Sequence, residues 1–450
     1  MRRMPPIALH PDNPHYFLFR GQPTVLITSA EHYGAVLNLD FDFKPYLAKL
    51  QRRRFNLTRV FSGSYVEAPG DFGINQNTLA PAANRFVCPW GRSGQGGYAL
   101  GGNRFELGKW DDGYFDRLKA FMSAASDAGV VVEYVLFCPM YTDRSWRNSP
   151  MHPDNHVNDV GRVDRFRPLT LHNDGLLAHQ EALVRKVVTE LRDFDNLYYE
   201  LCNEPWNAGV SGAWQRRIAE VIVETEQSER IPRHLIAQNI CNHSTIVEEP
   251  NPNVSILNFH YASGPDTVPA NYDLGLAIGD DETGFRGTGD AHYRMEAWQF
   301  LLAGGSVFNH LDYSYAAGGH EAGTLPIEKS PGGGGATLRD QLGHLRAFLT
   351  GFDFLRLRPA QHLIKRVAGT NSTVWALAEA GKAYAAYATG GGADGVTITL
   401  DVAAGRYQVE WVDPLTGEVV HKQSLEHNGG GADLVGPRGK GEIALRVQAA

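Results

Sequence analysis

Apolar residues along this chain fall into two rhythms, and the rhythm changes once. Between residues 24 and 350, short apolar runs alternate with stretches whose apolar positions recur at helical spacing. The runs lie at 24–30, 56–61, 130–137, 197–202, 234–238, 254–260, 276–279 and 306–311. The helical stretches lie at 43–53, 114–128, 175–192, 213–227, 293–302 and 337–350. Strands that alternate with helices pair in parallel, because each helix is a crossover. Eight of them suffice to close a (β/α)8 barrel of the α/β class. Beyond residue 352 the period drops to two, in runs at 372–379, 382–389, 396–402, 406–413 and 442–447 separated by Gly-containing turns. That pattern predicts an antiparallel β-sandwich. The chain thus reads as a barrel with a short N-terminal β extension (1–351) followed by a small all-β sandwich (352–450).

Two connections are too long to be simple turns. Residues 62–110 are rich in Gly, Asn, Pro and aromatics, among them Tyr65, Phe72, Phe86, Trp90, Tyr98 and Phe105. A loop of this length in a compact domain is functional or disordered, and the aromatics predict an ordered binding loop. The second, 139–168, carries Tyr141 and Trp146. Both follow strand ends, so both would overhang the barrel face where chemistry sits. The Gly-rich stretch 331–335 reads as a flexible loop at the same mouth; it lacks the Lys-Ser/Thr of a phosphate loop.

Composition narrows the partners. Net charge is −8, from 42 basic and 50 acidic residues, which excludes a basic face for nucleic acid or an anionic membrane. No apolar run approaches the roughly 18 residues of a membrane span, and the longest candidate, 130–138, is broken by Glu133. The opening Met-Arg-Arg-Met-Pro-Pro has no apolar leader core, which predicts a cytoplasmic protein, or a secreted or periplasmic one whose leader has been removed. The four cysteines, at 88, 138, 202 and 241, form no CxxC pair, and no HExxH occurs, so neither a metal nor another cofactor is expected. Cys138 and Cys202, inside apolar runs, predict buried reduced thiols.

In a barrel the catalytic groups stand where strands end. The polar residues there are Glu31 and His32; Arg59; Asn203 and Glu204; Gln238 and Asn239; His260 and Tyr261; Asp280, Asp281 and Glu282; and Asn309, His310 and Asp312. Glu204 and Glu282 stand out, because cleavage of a glycosidic bond needs two carboxyl groups from different strands. One protonates the departing oxygen; the other attacks carbon or activates water. Glu204 is expected to have its pKa raised by the neighbouring negative charge. Asp280 and Asp281 would cap the next helix or line the mouth. Arg59 would pair a buried carboxylate or keep Glu282 ionised. Glu200 shares parity with Glu204, so it points inward and needs a partner. Tyr261 is either a donor to Glu282 or a core tyrosine. His32, His260, Asn309 and His310 are candidate sugar contacts, and Trp90, Trp146 and Trp206 candidate stacking surfaces.

The same residues carry a family resemblance. Leu201-Cys202-Asn203-Glu204-Pro205-Trp206 resembles the Asn-Glu-Pro motif that ends strand four of clan A glycoside hydrolases. Ile278-Gly279-Asp280-Asp281-Glu282-Thr283-Gly284 resembles their strand seven, Arg59 in Leu57-Thr58-Arg59-Val60-Phe61 their strand-two arginine, and Phe259-His260-Tyr261 their strand six. The resemblance covers residues 24 to 350 and implies a retaining O-glycosidase acting on carbohydrate. It makes Glu282 the nucleophile, Glu204 the acid/base, and Asn203 the reader of the sugar 2-hydroxyl. Exo action on oligosaccharides or glycan ends is preferred; an endo-acting glycanase and a non-catalytic carbohydrate-binding barrel stay open. Strand eight departs from the clan, reading Phe308-Asn309-His310-Leu311-Asp312-Tyr313 without its Trp, and His260 adjoins Tyr261 where the clan often separates the two. The residues after 352 resemble a small sandwich module, named for collagen binding, found behind some of these barrels. The matching stretches are 382–387, 396–401 and 407–417, and they imply an accessory domain.

Overall fold

Eight parallel strands define the architecture of the computed structural model, which describes residues 4–371, 373–393 and 395–450. They are β1 (Leu26–Ala30), β2 (Leu57–Phe61), β3 (Val131–Phe137), β4 (Leu197–Cys202), β5 (Ile236–Asn242), β6 (Ile256–His260), β7 (Ala277–Thr283) and β8 (Val307–Leu311). Ladders run in the order β1-β8-β7-β6-β5-β4-β3-β2. At the seam between β1 and β2, Asn56 N donates to Ile27 O at 3.4 Å, and the Asn56 side chain adds two further bonds. Asn56 Oδ1 accepts from Ile27 N at 2.9 Å, and its Nδ2 donates to Val25 O at 2.8 Å. The barrel is therefore complete, with one strand junction spliced by an amide.

Around it lie α1 (Phe43–Arg53), α2 (Asp112–Asp127), α3 (Asp143–Asn148), α4 (Leu176–Leu191), α5 (Gly212–Glu229), α6 (Thr267–Asn271), α7 (Asp290–Leu302) and α8 (Ala336–Thr350). Their starts follow local chemistry. Asp42, Asp111 and Ser211 each accept from a backbone N–H of the first turn, at 3.0, 3.0 and 3.2 Å. The helical stretches match expectation to within a few residues. Strand limits differ more. Residues 22–24 pair in a separate N-terminal sheet, so the first barrel strand starts at Leu26, and β5 extends to Asn242.

The largest departure is β7. The sequence places its end at Gly279, because Asp-Asp-Glu is a poor strand former. The strand instead continues through Thr283, so Glu282 lies within it. Asp281 hydrogen-bonds to Asn258 inside the barrel, and Asp280 is also fully buried. Neither aspartate lines the mouth or caps a helix, since α7 starts after Gly289. Carboxylates can occupy this strand because the upper barrel is polar and offers them partners.

The barrel interior is layered. Leu26, Leu57, Val131, Tyr198, Ile256, Ala277 and Val307 form an apolar layer with Ile7, Phe17 and Phe19 of the N-terminal segment. That segment is a three-stranded antiparallel sheet (Ala8–His10, Asn13–Phe19, Gln22–Thr24), and it plugs the lower end. Above this floor, toward the strand C-termini, inward positions become charged.

The 62–110 connection contains a hairpin (Trp90–Gly96 with Asn103–Trp110), and α3 opens the second insertion behind a Thr142 capping box. Trp90 is fully buried. After α8 ends at Thr350, the chain enters an antiparallel sandwich of a six-stranded and a three-stranded sheet. Ser372, which opens the first alternating run of that region, and the initial Met-Arg-Arg lie outside the described residues. The sandwich is docked on α7 and α8. Arg294 grips both oxygens of Glu442, Tyr387 donates to Glu442 at 2.9 Å, and Trp298 stacks on Tyr387 with centroids 5.2 Å apart.

Replacing Asn56 by alanine would leave two buried backbone groups at the seam without partners. Asn56→Ala is expected to lower the unfolding free energy by about 2–5 kcal/mol, measured by urea denaturation, with the denaturant slope unchanged.

Candidate active site

Arg59 points inward from β2 and stands at the centre of the charged layer. It is fully buried. Its Nε and Nη2 bind the two oxygens of Glu200 at 3.0 and 2.5 Å, Nη1 reaches Glu282 at 3.2 Å, and Nη2 reaches Asn203 Oδ1 at 2.8 Å. Asp281 lies 3.4 Å away and Glu133 at 4.0 Å. Burial opposes the guanidinium charge, but Glu200 and Asp281 more than offset it and hold the Arg59 pKa high. The inward parity of Glu200 thus ends on the partner it required. Burial and the neighbouring Glu200 raise Glu133 well above the carboxylate range, and it accepts from Tyr198 and Asn258 at 2.9 and 2.7 Å. Burial also pushes Asp281, but Arg59 and His260 reverse it and hold that group low. Gly279 of β7 is required here, because a side chain would collide with the Asn258 amide.

Above Arg59 the two glutamates meet. One oxygen of Glu204, one of Glu282 and a ring nitrogen of His260 all lie within 4.8 Å of one another. Glu282 accepts from Tyr261 at 2.8 Å and from Tyr33 at 3.2 Å. Glu204 accepts from Tyr141 at 2.7 Å, and His260 Nδ1 sits 3.2 Å from its Oε1. His260 Nε2 faces Asp281 at 3.3 Å. Burial works against a charge on His260, yet Glu282 and Asp281 outweigh it and raise its pKa well above 6.5. This imidazolium reverses one expectation. Burial alone would raise Glu204, but the hydrogen bond and charge of His260 bring it below the ordinary value. It is Glu282 that burial raises, with Glu204 adding to the effect and His260 and Arg59 opposing it.

Five residues here hold left-handed backbone: Tyr33 (φ 72°), Glu204 (38°), His243 (69°), Tyr261 (53°) and Phe285 (56°). Such strain persists only where surroundings over-determine it. Glu204 N donates to Asn239 Oδ1 at 3.0 Å, and Tyr261 N to Glu282 O at 2.9 Å. The Tyr33 carbonyl accepts from Phe61 N at 3.0 Å. The bent strand ends turn Glu204 and Tyr261 toward a common cavity of about 410 Å³.

The cavity wall contains His32, Asn203, Glu204, Tyr261 and Glu282 from the sequence-derived set. Asn203 is fixed at both ends of its amide, by Arg59 and by Tyr141, to which it donates at 2.8 Å. Arg59 and His260 lie immediately behind the wall. Trp206 is partly exposed beside it, edge-on to His260 at 5.3 Å. Asn309 is buried below, donating to Asp281 O at 2.9 Å. His310 is buried against Ser29 and Tyr293, and Trp146 is buried in the second insertion with its N–H on Val163 O. These last three are packed away from the cavity. The exposed aromatics at the rim are Phe72 and Phe285, 6.5 Å apart. Sequence reasoning passed over Tyr33, Glu67, Asn77 and Phe285. Tyr33 follows the polar end of β1 and Phe285 follows Glu282, so adjacency was their one signal.

No family model matches the chain, and no curated protein does. Solved structures do. The fold of this chain is similar to that of solved structures described as glycoside hydrolases. A glycoside hydrolase family 5 protein from Bacteroides vulgatus aligns over 99% of this chain and 94% of its own, with TM-score 0.65 and 13% identity. A second structure described as a glycoside hydrolase aligns over 99% and 97%, with TM-score 0.64 and 14% identity. A family 5 mannosidase from Rhizomucor miehei covers 78% of this chain and 99% of its own, with TM-score 0.52 and 13% identity.

The buried histidines are expected to separate by nuclear magnetic resonance. His32 and His310, whose pKa values burial lowers to about 4, should be neutral at pH 7 while His260 remains an imidazolium. Because the folded state favours charged His260, its stabilisation is full below pH 6.5 and is lost as pH rises through the elevated folded value. A neutral His260 ring at pH 7 would contradict this arrangement.

Proposed function

We propose that this protein is a retaining glycosidase acting on carbohydrate by double displacement. The observation that carries the reading is the approach of Glu204 and Glu282 to within 4.8 Å at the ends of β4 and β7, both open to one cavity. Direct attack on the anomeric carbon suits carboxyl groups about 5–5.5 Å apart, whereas activation of an intervening water needs roughly 6.5–9.5 Å.

In the first step a Glu282 oxygen bonds to the anomeric carbon as the bond to the leaving oxygen breaks. Glu204 donates a proton to that oxygen. His260 Nδ1 lies 3.2 Å from Glu204 Oε1 and its pKa is raised, so a proton passed across that contact gives the acid form of Glu204. In the second step water attacks the anomeric carbon, Glu204 takes its proton, and Glu282 is released. Arg59, Tyr33 and Tyr261 bring positive charge and hydroxyl donors to Glu282, and so favour the carboxylate needed to attack and to leave. The role of reading the sugar 2-hydroxyl falls to Asn203, which lines the cavity and is clamped by Arg59 and Tyr141. Exo action is the preferred mode. A volume near 410 Å³ lies at the small end of ligand sites, roughly 300–1,000 Å³, and the 62–110 loop walls it with Tyr65, Phe72 and Leu79.

Glu282→Ala is expected to abolish hydrolysis of activated aryl glycosides and labelling by a fluorosugar inactivator. Glu204→Ala should lose about 10²–10⁴-fold in kcat on poor leaving groups, with azide restoring turnover and giving a glycosyl azide of retained configuration. Proton NMR of the first-formed product should show the substrate's anomer. Inverted product, or full activity without Glu282, would refute the mechanism. Release of monosaccharide before any mid-chain fragment from an oligosaccharide would support the exo mode; the reverse order would replace it.

A further inference from the structure

Glu67 is a third carboxylate on the cavity wall, and the double displacement leaves it unused. It is buried, and among the described residues no cation offsets its charge. Its Oε1 accepts from the Tyr65 hydroxyl at 3.1 Å, and its Oε2 from the Asn77 amide. Burial pushes its pKa up to about 7 against those two bonds. A carboxylate has about four lone-pair sites, so two donors leave it half satisfied in a place where unsatisfied acceptors are costly.

The wall that carries it is fixed. Glu67 N donates to Leu79 O at 2.9 Å, and Thr78 Oγ1 donates to Glu31 at 2.5 Å. Asn38 donates to Thr78 O at 3.1 Å, and the chain passes so close to Gly34 that a side chain there would strike the Thr78 carbonyl. Asn77 Oδ1 accepts from Leu79 N at 2.9 Å, which orients its amide and leaves one N–H beside the Glu67 carboxyl. The cavity presents Glu67, Glu204 and Glu282, and one guanidinium, Arg286, which is exposed. Arg59 and His260 stand behind Glu204 and Glu282, whereas Glu67 has no such cation beside it, so its side of the cavity favours hydroxyl donors.

Resting on the glycosidase reading, we propose that Glu67 and Asn77 bind adjacent hydroxyl groups of a neutral glycone and set which sugar is accepted. One hydroxyl donates to Glu67; the oxygen of its neighbour accepts from Asn77. Anionic sugars such as glycuronides are rejected by the same carboxylate. The pair is a specificity element and takes no part in bond breaking.

The test is a double-mutant cycle on the full chain, using the aryl glycoside best hydrolysed in a panel and its monodeoxy analogues. Glu67→Ala and Glu67→Gln should each lower kcat/KM about 10- to 100-fold. Loss of one particular hydroxyl should cost the wild type a similar factor and cost Glu67→Ala nothing more. Glu282 should still be labelled by saturating fluorosugar in both variants. Equal penalties for every deoxy analogue in wild type and variant, or turnover of the glycuronide as fast as of the neutral glycoside, would overturn the proposal. If Glu67→Ala does not fold, Glu67→Gln carries the cycle. If the wild type hydrolyses nothing in the panel, the glycosidase reading falls separately. Calorimetric titration of wild type and Glu67→Gln with neutral sugars and uronic acids then decides Glu67, and equal affinities for both proteins refute its role.

Discussion

A single buried guanidinium organises the upper half of this barrel. Arg59 touches Glu200, Glu282 and Asn203 and lies close to Asp281, so β2, β4 and β7 meet on one side chain. A planar, permanently charged fork is the group suited to several oxygens at fixed angles; a lysine would offer a point charge without that geometry. Removing a buried cation strands its carboxylates, at a typical cost of several kcal/mol. The cluster limits this liability by raising the pKa of Glu133 and by adding a second cation, His260, on the far side of Asp281. Charge is thus distributed over layers, with the two outermost carboxylates, Glu204 and Glu282, facing the cavity.

Chemistry follows from that stacking. His260 sits between the two glutamates and touches both, at 3.2 and 3.8 Å. It draws Glu204 toward the carboxylate while burial draws Glu282 the other way, so the two pKa values are pushed apart. Left-handed backbone at Glu204 and Tyr261 aims their side chains into the same space. These conformations are unfavourable for residues other than glycine, and neighbouring hydrogen bonds hold them. Local rules are broken where function is proposed, and the packed strands beneath absorb the cost.

Stability is supplied elsewhere. The apolar floor, closed from below by Phe17 and Phe19, keeps water from the lower barrel. The sandwich rests on α7 and α8 through Arg294, Glu442, Tyr387 and Trp298, and the apolar face with Tyr387 and Leu377 merges with the barrel core. Both additions lie away from the cavity, so they can stiffen the scaffold without obstructing it.

Much of this was legible in the order of residues. Helical and two-fold spacing depend on local geometry, so six helices, eight strands and the switch to a sandwich could be read from periodicity. The inward parity of Glu200 was legible for the same reason, since a strand fixes where alternate side chains point; Asn203-Glu204-Pro205 was legible as a motif at a strand end. Contacts between strands were not. That β7 runs on through Asp280, Asp281 and Glu282 depends on Arg59 and Asn258 being across the barrel to receive them, which no strand propensity encodes. That His260 lowers Glu204, that Trp146 and His310 turn away while Phe285 and Glu67 face the cavity, and that the two carboxylates come within 4.8 Å of each other, follow from barrel closure. The sequence alone determined which groups are available and on which strands. Only the tertiary structure decided their distances and their charges, because both depend on burial and on partners far apart in the chain.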